Sequence, residues 1–123
     1  MYSPVSVTNL VGIYTITGYN QDGTDITYKG TLNLRLDSNN RIIAKWLINN
    51  SQKQFGTGFF KDGILVINFN YLGEDSNTYK GVVVYRCLSN DILDGFWSEE
   101  FGNPAYLGKE RCFKIKDTTT IIN

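Results

Sequence analysis

The feature that most constrains this chain is a hairpin pattern that repeats from one end of the sequence to the other. Short segments rich in Tyr, Phe, Ile and Val alternate with brief turns of Asn, Asp, Gly and Ser. Residues 26–36 show the period of two most clearly, with one face formed by Ile26, Tyr28, Gly30, Leu32, Leu34 and Leu36. Such alternation is typical of a half-buried β-strand, and no stretch has the period of a convincing helix. The pattern predicts an all-β fold.

Eight strands follow from this pattern, at about residues 12–20, 26–36, 41–49, 54–60, 64–71, 79–88, 93–99 and 106–116. Tight turns between consecutive strands favour an antiparallel meander, and Asp22-Gly23 is a strong hairpin signal. Eight meandering strands can close on themselves, which removes the exposed edges that promote aggregation. The alternative is a two-sheet sandwich, which usually needs longer crossovers, and only residues 72–78 and 100–105 are candidates. We therefore predict an eight-stranded antiparallel up-and-down barrel.

The length of 123 residues favours a single domain, residues 1–123, that can bury a core without disulfides or metals. A hydrophobic content of 41% and a charged content of 20% indicate a globular chain rather than a disordered one. We place the core at about residues 10–116, with flexible termini, and expect the tail at residues 117–123 to fray.

Glycine recurs inside the predicted strands, where it weakens pairing by roughly 0.5–1 kcal/mol relative to Ala. Small residues have a physical reason to recur on a concave face, because strands coil tightly there and a neighbouring ring covers the bare backbone. We therefore predict that one face points into the barrel, the face of Gly12, Gly18, Gly30, Gly81, Gly95 and Gly108. The side chains that share this interior are Tyr14, Tyr28, Trp46, Tyr85, Trp97, Glu110, Cys87 and Cys112.

Six of these interior side chains are the candidate ligand-binding residues, namely Tyr14, Tyr28, Trp46, Tyr85, Trp97 and Glu110. Trp46 and Trp97 suit the wall of an aromatic slot, although core filling explains them too, since eight strands enclose little more than side chains. Glu110 is the sharper clue, because a carboxylate in an apolar barrel is costly unless it is paired or hydrogen-bonded. Its partners are either a ligand amine or hydroxyl, or a structural network of Tyr28, Tyr85 and the Trp97 indole.

Charge and composition exclude several classes of function. Twelve basic and twelve acidic residues give zero net charge, so we do not expect nucleic-acid binding. The chain has no histidine and therefore lacks the commonest general base and metal ligand, so we expect no enzyme activity, no metal site and no cofactor. No apolar run is long enough for membrane insertion. Met1–Leu10 does not read as a signal peptide, which leaves the cytoplasm, or export with a signal removed, as alternatives.

Two minor motifs have structural explanations. The adjacent acidic pairs Glu74-Asp75 and Glu99-Glu100 are expected to solvate loops rather than to act in acid/base catalysis, which needs opposed carboxylates. Cys87 and Cys112 fall on the sixth and eighth strands, with Gly95 expected between them. Two strand spacings exceed the reach of a disulfide, so we predict free, buried thiols.

In sequence order the glycine and aromatic positions form a recognisable pattern, which reads Gly12-x-Tyr14, Gly18-x-Asn20-x-Asp22-Gly23, Tyr28-x-Gly30, Trp46, Gly56-x-Gly58, Val84-Tyr85, Leu93-x-Gly95-x-Trp97 and Gly108-x-Glu110. The pattern resembles a group of small bacterial β-barrel proteins, often exported and sometimes labelled fibronectin-binding, and more distantly the avidin and lipocalin architectures. This resemblance implies an avidin/lipocalin-like barrel, and the label implies adhesion. Lipocalins usually begin with Gly-x-Trp, and Tyr14 stands at the Trp position here.

The expected function is that of a non-enzymatic binding module holding a small apolar or aromatic ligand inside the barrel. The alternative is a protein–protein interaction or adhesion module that acts through its outer surface and loops. For a homodimer or another protein partner, Ile43, Leu47 and Val82 or Val84 supply an outward apolar patch. A carboxylate/Tyr enzyme built around Glu110 is a third reading. An interior void above roughly 300 Å³ favours ligand binding, whereas a solid interior favours the surface.

Overall fold

The computed structural model describes residues 5–115, which form a closed barrel of eight antiparallel strands in up-and-down order. The strands are β1 Gly12–Tyr19, β2 Thr27–Leu36, β3 Ile42–Ile48, β4 Gln52–Lys61, β5 Ile64–Leu72, β6 Thr78–Cys87, β7 Ile92–Glu99 and β8 Gly108–Lys114. A 3-10 helix, Val7–Leu10, precedes β1, and no α-helix occurs between residues 5 and 115. Within that range no helix is long and apolar enough to cross a membrane. The predicted fold is confirmed.

Pairing between β1 and β8 closes the sheet, running from Tyr14 opposite Lys114 to Tyr19 opposite Lys109. Every other pairing joins strands that are consecutive in the chain, so the sandwich alternative is wrong. Strand ends differ from the predicted ones by at most two residues wherever both are described. The predicted end of β8 at Lys116 and the tail at residues 117–123 lie outside the described residues.

Two tight turns set the register of the three consecutive strands β3, β4 and β5. Asn49 and Asn50 both have positive φ, 53° and 62°, and the amide of Ser51 donates to the carbonyl of Ile48. The Asp62-Gly63 pair between β4 and β5 also has positive φ at both positions. These are type I′ turns, whose backbone twist matches the twist of the strands they join. The two turns keep the alternation of β3, β4 and β5 in phase, so that the inward faces of these three strands match.

The prediction that the glycine face lines the interior is confirmed. Gly108 pairs with Trp97, and a Cβ added at Gly108 would overlap the indole ring. Gly95 pairs with Tyr85, and a Cβ there would lie 2.5 Å from the tyrosine ring. Aromatic rings thus cover the bare backbone across the strand pair, as expected for a tightly curved sheet.

One end of the barrel is plugged. Leu10 of the 3-10 helix is fully buried, and its carbonyl accepts a hydrogen bond of 2.7 Å from the Tyr14 hydroxyl. Lys114 lies over the Tyr14 ring, with its Nζ atom 5.5 Å from the ring centroid. Apolar side chains fill the interior beside this plug, among them Ile16, Leu32, Leu34, Ile42, Leu65, Ile67 and Leu93. The 3-10 helix and Tyr14 therefore close this end of the barrel.

The two cysteines are free thiols, as predicted. Cys112 is buried and Cys87 half-buried. Leu93, not Gly95, stands between them, because Leu93 pairs with Cys87 on one side and with Cys112 on the other. The predicted register of β7 at this point was therefore wrong by two residues. Burial raises the pKa of the Cys87 thiol to about 11, so it stays protonated near neutral pH.

Candidate functional site

Among residues 5–115, Glu110 is the only charged residue that is buried, with 7% of its surface exposed. Its neighbours across the two adjacent strands are Gly18 on β1 and Gly95 on β7. Neither has a side chain to occupy the space beside the carboxylate. The ring of Tyr28 covers Gly18 and the ring of Tyr85 covers Gly95, so both phenols reach Glu110. The glycines therefore explain how two tyrosines and one glutamate meet.

Two parallel chains of hydrogen bonds end on this carboxylate. The Tyr28 hydroxyl donates to Oε2 of Glu110 at 2.7 Å, and the Tyr85 hydroxyl donates to Oε1 at 2.5 Å. The Trp97 indole donates to the Tyr28 oxygen at 2.9 Å. The Trp46 indole donates to the Tyr85 oxygen at 3.2 Å. We call these five residues the Glu110 network, in which every donated proton points towards the carboxylate.

Burial dominates the electrostatics of the Glu110 network. It raises the pKa of Glu110, and the hydrogen bonds from Tyr85 and Tyr28 offset part of that rise. Burial, followed by the nearby charge of Glu110, raises the pKa of both tyrosines far above the ordinary value of 10. The two phenols therefore remain protonated near neutral pH and act as donors.

The structure brings together five of the six candidate ligand-binding residues predicted from the sequence. The sixth, Tyr14, lies at the plugged end, where its hydroxyl is bonded to the Leu10 carbonyl and the side chain is fully buried. Trp46, whose strand alternates weakly in the sequence, does face inward and joins the Glu110 network through Tyr85.

A cavity of about 180 Å³ lies at the open end of the barrel, beside the Glu110 network. We call it the mouth cavity. Its polar lining residues are Asn20, Gln52, Gln54, Glu99 and Glu110. Its aromatic and aliphatic lining residues are Tyr28, Ile48, Phe69, Tyr71 and Trp97. The volume falls short of the roughly 300 Å³ at which drug-sized ligand pockets begin. The barrel interior is therefore not completely filled by side chains, but its cavity is small.

Phe69 is the aromatic centre of the mouth cavity, and the sequence analysis did not place it in the site. Its ring meets Trp46 and Trp97 edge-on, each with centroids 6.2 Å apart. It stacks on Tyr71 at 6.5 Å. A signal was present, because Phe69 pairs with a glycine, Gly81, in the same way as the other interior aromatics do. Applying the glycine rule to β5 finds it.

The expectation that Glu99 solvates a loop is wrong. Strand β7 extends to Glu99, and the period of two from Gly95 through Trp97 places this side chain on the inner face. Glu99 is half-buried, lines the mouth cavity and accepts a hydrogen bond from the Tyr71 hydroxyl. Its neighbour Glu100 is exposed. The mouth cavity therefore has two carboxylates rather than one.

The loop pair Glu74-Asp75 is exposed, as expected. Asp75 accepts hydrogen bonds from the Asn77 amides and from the Tyr79 hydroxyl, the last at 2.5 Å, and so braces its own loop. Among residues 5–115, no group of three or more Cys, Asp or Glu side chains is placed to hold a metal ion. The lining of the mouth cavity supplies hydrogen-bonding groups and aromatic rings.

The outer wall carries a second, open concavity of about 880 Å³, lined in part by Ile43, Phe55 and Val82. Beside it runs an apolar stripe, in which each residue pairs with the next across β4 to β7, formed by Phe59, Val66, Val84 and Phe96. Val82 is 41% exposed, whereas Ile43, Leu47 and Val84 are half-buried. These residues face outward, as the sequence analysis expected.

The chain matches no family model and no curated protein in sequence comparisons. Solved structures do resemble it. A redesigned β-barrel, b11L5F_LGL, has a TM-score of 0.73 at 13% identity, covering 94% of this chain and all of that one. A second redesigned β-barrel, mFAP0, solved with bound DFHBI, has a TM-score of 0.62 at 19% identity, covering 86% of this chain and 99% of that one.

A natural protein is also similar in structure. It is a protein of unknown function of the DUF3598 family from Nostoc punctiforme, with a TM-score of 0.53 at 12% identity. The alignment covers 93% of this chain but 51% of that one, so this barrel corresponds to about half of the larger protein. At identities below 20% these structural likenesses show the small β-barrel fold alone, and function has to be argued from the site.

Proposed function

We propose that this barrel is a non-enzymatic binding module that holds a compact aromatic molecule in the mouth cavity. The observation that carries the proposal is a polar anchor joined to aromatic walls in one small space. Glu110 lines the cavity together with the rings of Phe69, Tyr71 and Trp97. Ligand sites usually combine apolar walls with a few placed polar groups in this way.

The size of the mouth cavity limits the ligand to about one ring. Its volume is about 180 Å³, and an engineered apolar cavity of roughly 150 Å³ is known to hold benzene. The polar side chains of Gln52, Gln54 and Glu99 in the lining favour a ring with polar substituents over a purely apolar molecule. The expected ligand is therefore a single aromatic ring with polar substituents, a narrower class than the small apolar or aromatic molecule expected from the sequence.

The Glu110 network supports binding rather than catalysis. A general base needs a pKa near the working pH and a free path to the proton it removes. The hydrogen bonds that Glu110 accepts from Tyr28 and Tyr85 stabilise its charged form and offset part of the rise that burial causes in its pKa, which weakens it as a base. The raised pKa values of Tyr28 and Tyr85 keep these phenols protonated, so they are poor bases.

The similar designed barrels add support from architecture. Two of them, mFAP0 and mFAP1, were solved with bound DFHBI, a small aromatic dye, and each is 19% identical to this chain. An eight-stranded barrel of this general shape can therefore accommodate an aromatic molecule. The choice of ligand still depends on the side chains of this chain's own mouth cavity.

Ligand-observed NMR with a set of single-ring aromatic fragments tests the proposal. We expect several fragments to bind with dissociation constants in about the millimolar to high-micromolar range, as ligands of this size allow. Gln54→Phe should abolish this binding, because Gln54 lines the mouth cavity and a larger side chain would fill it. Thr57→Phe is the matched control, since Thr57 lies on the same strand and is exposed on the outer face.

Equal loss of binding in Gln54→Phe and Thr57→Phe would contradict the proposal, as would the absence of any bound fragment in the unmodified protein. Unfolding curves of both variants exclude the case in which either change simply prevents folding.

A second candidate is a protein–protein contact through the outer wall. The apolar stripe of Phe59, Val66, Val84 and Phe96 favours it, with Phe59 61% and Phe96 40% exposed. Contiguous exposed apolar surface often marks a contact site. We rank it second, because the stripe has nothing equivalent to the arrangement of polar and aromatic groups around the mouth cavity.

A further inference from the structure

The phenol and indole side chains of Tyr28, Tyr71 and Trp97, which line the mouth cavity, have already donated their protons to other protein groups. A tyrosine hydroxyl has one proton and an indole has one, so each can donate once. Tyr28 donates to Glu110, Trp97 donates to Tyr28, and Tyr71 donates to Glu99. What these phenol and carboxylate groups still offer to a ligand is oxygen lone pairs. A ligand that meets them must therefore donate hydrogen bonds.

The charges of the cavity point in the same direction. Two carboxylates, Glu99 and Glu110, line it, and none of the ten described lining residues is Lys or Arg. Asn20, Gln52 and Gln54 are uncharged, and one of their amide donors is already used, since Gln54 donates to Gln52 at 2.7 Å. A bound anion would meet two like charges with no cation beside it. A bound cation would meet two opposite ones.

The aromatic walls favour a cation as well. The face of an aromatic ring carries partial negative charge and attracts ammonium and guanidinium groups. Four aromatic residues, Tyr28, Phe69, Tyr71 and Trp97, line the same small volume as the two carboxylates. A bare metal ion fits less well, because hard cations require several oxygen ligands and no group of three or more Cys, Asp or Glu side chains among residues 5–115 is placed to hold one.

We infer that the ligand of this barrel is a compact organic cation, an ammonium or amidinium group carried on a single aromatic ring. The inference rests on the proposed function and specifies its ligand class. The cationic group binds the lone pairs of Glu110 and Glu99, and the ring packs against Phe69, Tyr71 and Trp97. The volume of about 180 Å³ leaves room for one ring and a short substituent.

Isothermal titration calorimetry with three compounds of matched shape tests this inference: benzylamine, which is cationic near neutral pH, neutral benzyl alcohol and anionic benzoate. We expect benzylamine to bind at least about 10-fold more tightly than benzyl alcohol, which is the usual gain when a hydrogen bond involves charged partners. We expect no detectable binding of benzoate at the same concentrations.

Glu99→Gln locates the effect. This residue is half-buried at the mouth and lies outside the Glu110 network, so the barrel should tolerate the change. We expect Glu99→Gln to weaken benzylamine binding by about 10-fold and benzyl alcohol binding by much less, because the glutamine carbonyl still accepts a hydrogen bond from a neutral hydroxyl. Glu100→Gln removes the same charge from the next residue, which is exposed and does not line the mouth cavity, and should leave both affinities unchanged.

The outcomes separate the two proposals. If benzyl alcohol binds as tightly as benzylamine, or benzoate more tightly, the inferred ligand class is wrong while binding in the mouth cavity stands. Equal weakening of benzylamine binding by Glu99→Gln and Glu100→Gln also overturns the inference. It would mean that the negative charge of the protein surface attracts benzylamine, rather than a contact inside the mouth cavity. If none of the three compounds binds and no neutral fragment does, the proposed function fails together with the inference.

Discussion

Replacing Glu110 with alanine is expected to lower the free energy of unfolding by about 3 kcal/mol. The change leaves the hydroxyls of Tyr28 and Tyr85 without an acceptor in the barrel interior, and each unsatisfied buried donor costs roughly 1–3 kcal/mol. Part of this loss is offset because the folded state no longer buries a carboxylate. Urea denaturation followed by tryptophan fluorescence measures the difference.

Glu99→Ala is the matched control, since Glu99 is half-buried and accepts a hydrogen bond from a single tyrosine, Tyr71. We expect it to cost about 1 kcal/mol or less. A loss below about 1 kcal/mol in Glu110→Ala as well would mean that the Glu110 network contributes little to folding.

The pH dependence of the same measurement gives a second readout. The pKa of Glu110 is raised in the folded state, from an ordinary value of 4.5, so the folded protein holds this proton more tightly than the unfolded chain. Stability contributed by this group is therefore present below about pH 4.5 and is lost as the pH rises towards the folded pKa. Relative to Glu110→Gln, the unmodified protein should lose stability across this interval. If the stability difference between the unmodified protein and Glu110→Gln stays constant across this pH interval, the raised pKa of Glu110 is wrong.

Gly108→Ala is expected to destabilise the barrel by about 2 kcal/mol. This is the opposite of the usual result, because replacing a strand glycine with alanine normally stabilises a protein slightly. The added methyl group would overlap the Trp97 indole, which packs over Gly108, and overpacking a core costs typically 1–3 kcal/mol. A shift of the indole would also weaken the hydrogen bond that it donates to the Tyr28 hydroxyl.

A double-mutant cycle isolates the cause. Trp97→Ala alone is expected to cost about 3 kcal/mol, at the lower end for a large-to-small aromatic change, because Trp97 is only partly buried. In the double variant the methyl group added by Gly108→Ala occupies space that the indole has vacated, so the combined loss of stability should fall short of the sum by about 1–2 kcal/mol. Additive losses would show that Gly108 and Trp97 are not coupled through this contact.

The fold was predictable because its determinants are local. Alternation and tight turns specify strands, and the glycines mark which face is concave, so closure followed from residues such as Gly95 and Gly108. The same rule placed Glu110, Tyr28 and Tyr85 together, since the rings of these tyrosines cover the two glycines that flank the glutamate. A carboxylate between glycines on an inward face is therefore an informative signal.

The failures involve depth along the barrel, which alternation does not encode. A period of two tells which face a residue is on but not how far it lies from either end. Tyr14 shares the interior face yet lies at the end that the short 3-10 helix closes. The sequence of Val7–Leu10 has no pattern that predicts this helix or its position at the end of the barrel. Glu99 was expected to solvate a loop although it ends the predicted strand 93–99, because the period of two does not show that this end of β7 lies at the mouth.

The volume of the cavity could not be predicted for a related reason. Tilt and stagger of the strands decide how many ring-sized layers the interior holds. Here Phe69 bridges Trp46 and Trp97 and fills much of the space that a larger ligand would need. The remaining volume is about 180 Å³, and the polar ends of β4 and β7 line it.

The most direct test of the central claim is a crystal structure of the protein soaked with benzylamine. We predict electron density for the ring beside Phe69, Tyr71 and Trp97, with the amine nitrogen within hydrogen-bond distance of Glu110 or Glu99. Density in the concavity of the outer wall, with only ordered water in the mouth cavity, would contradict the account.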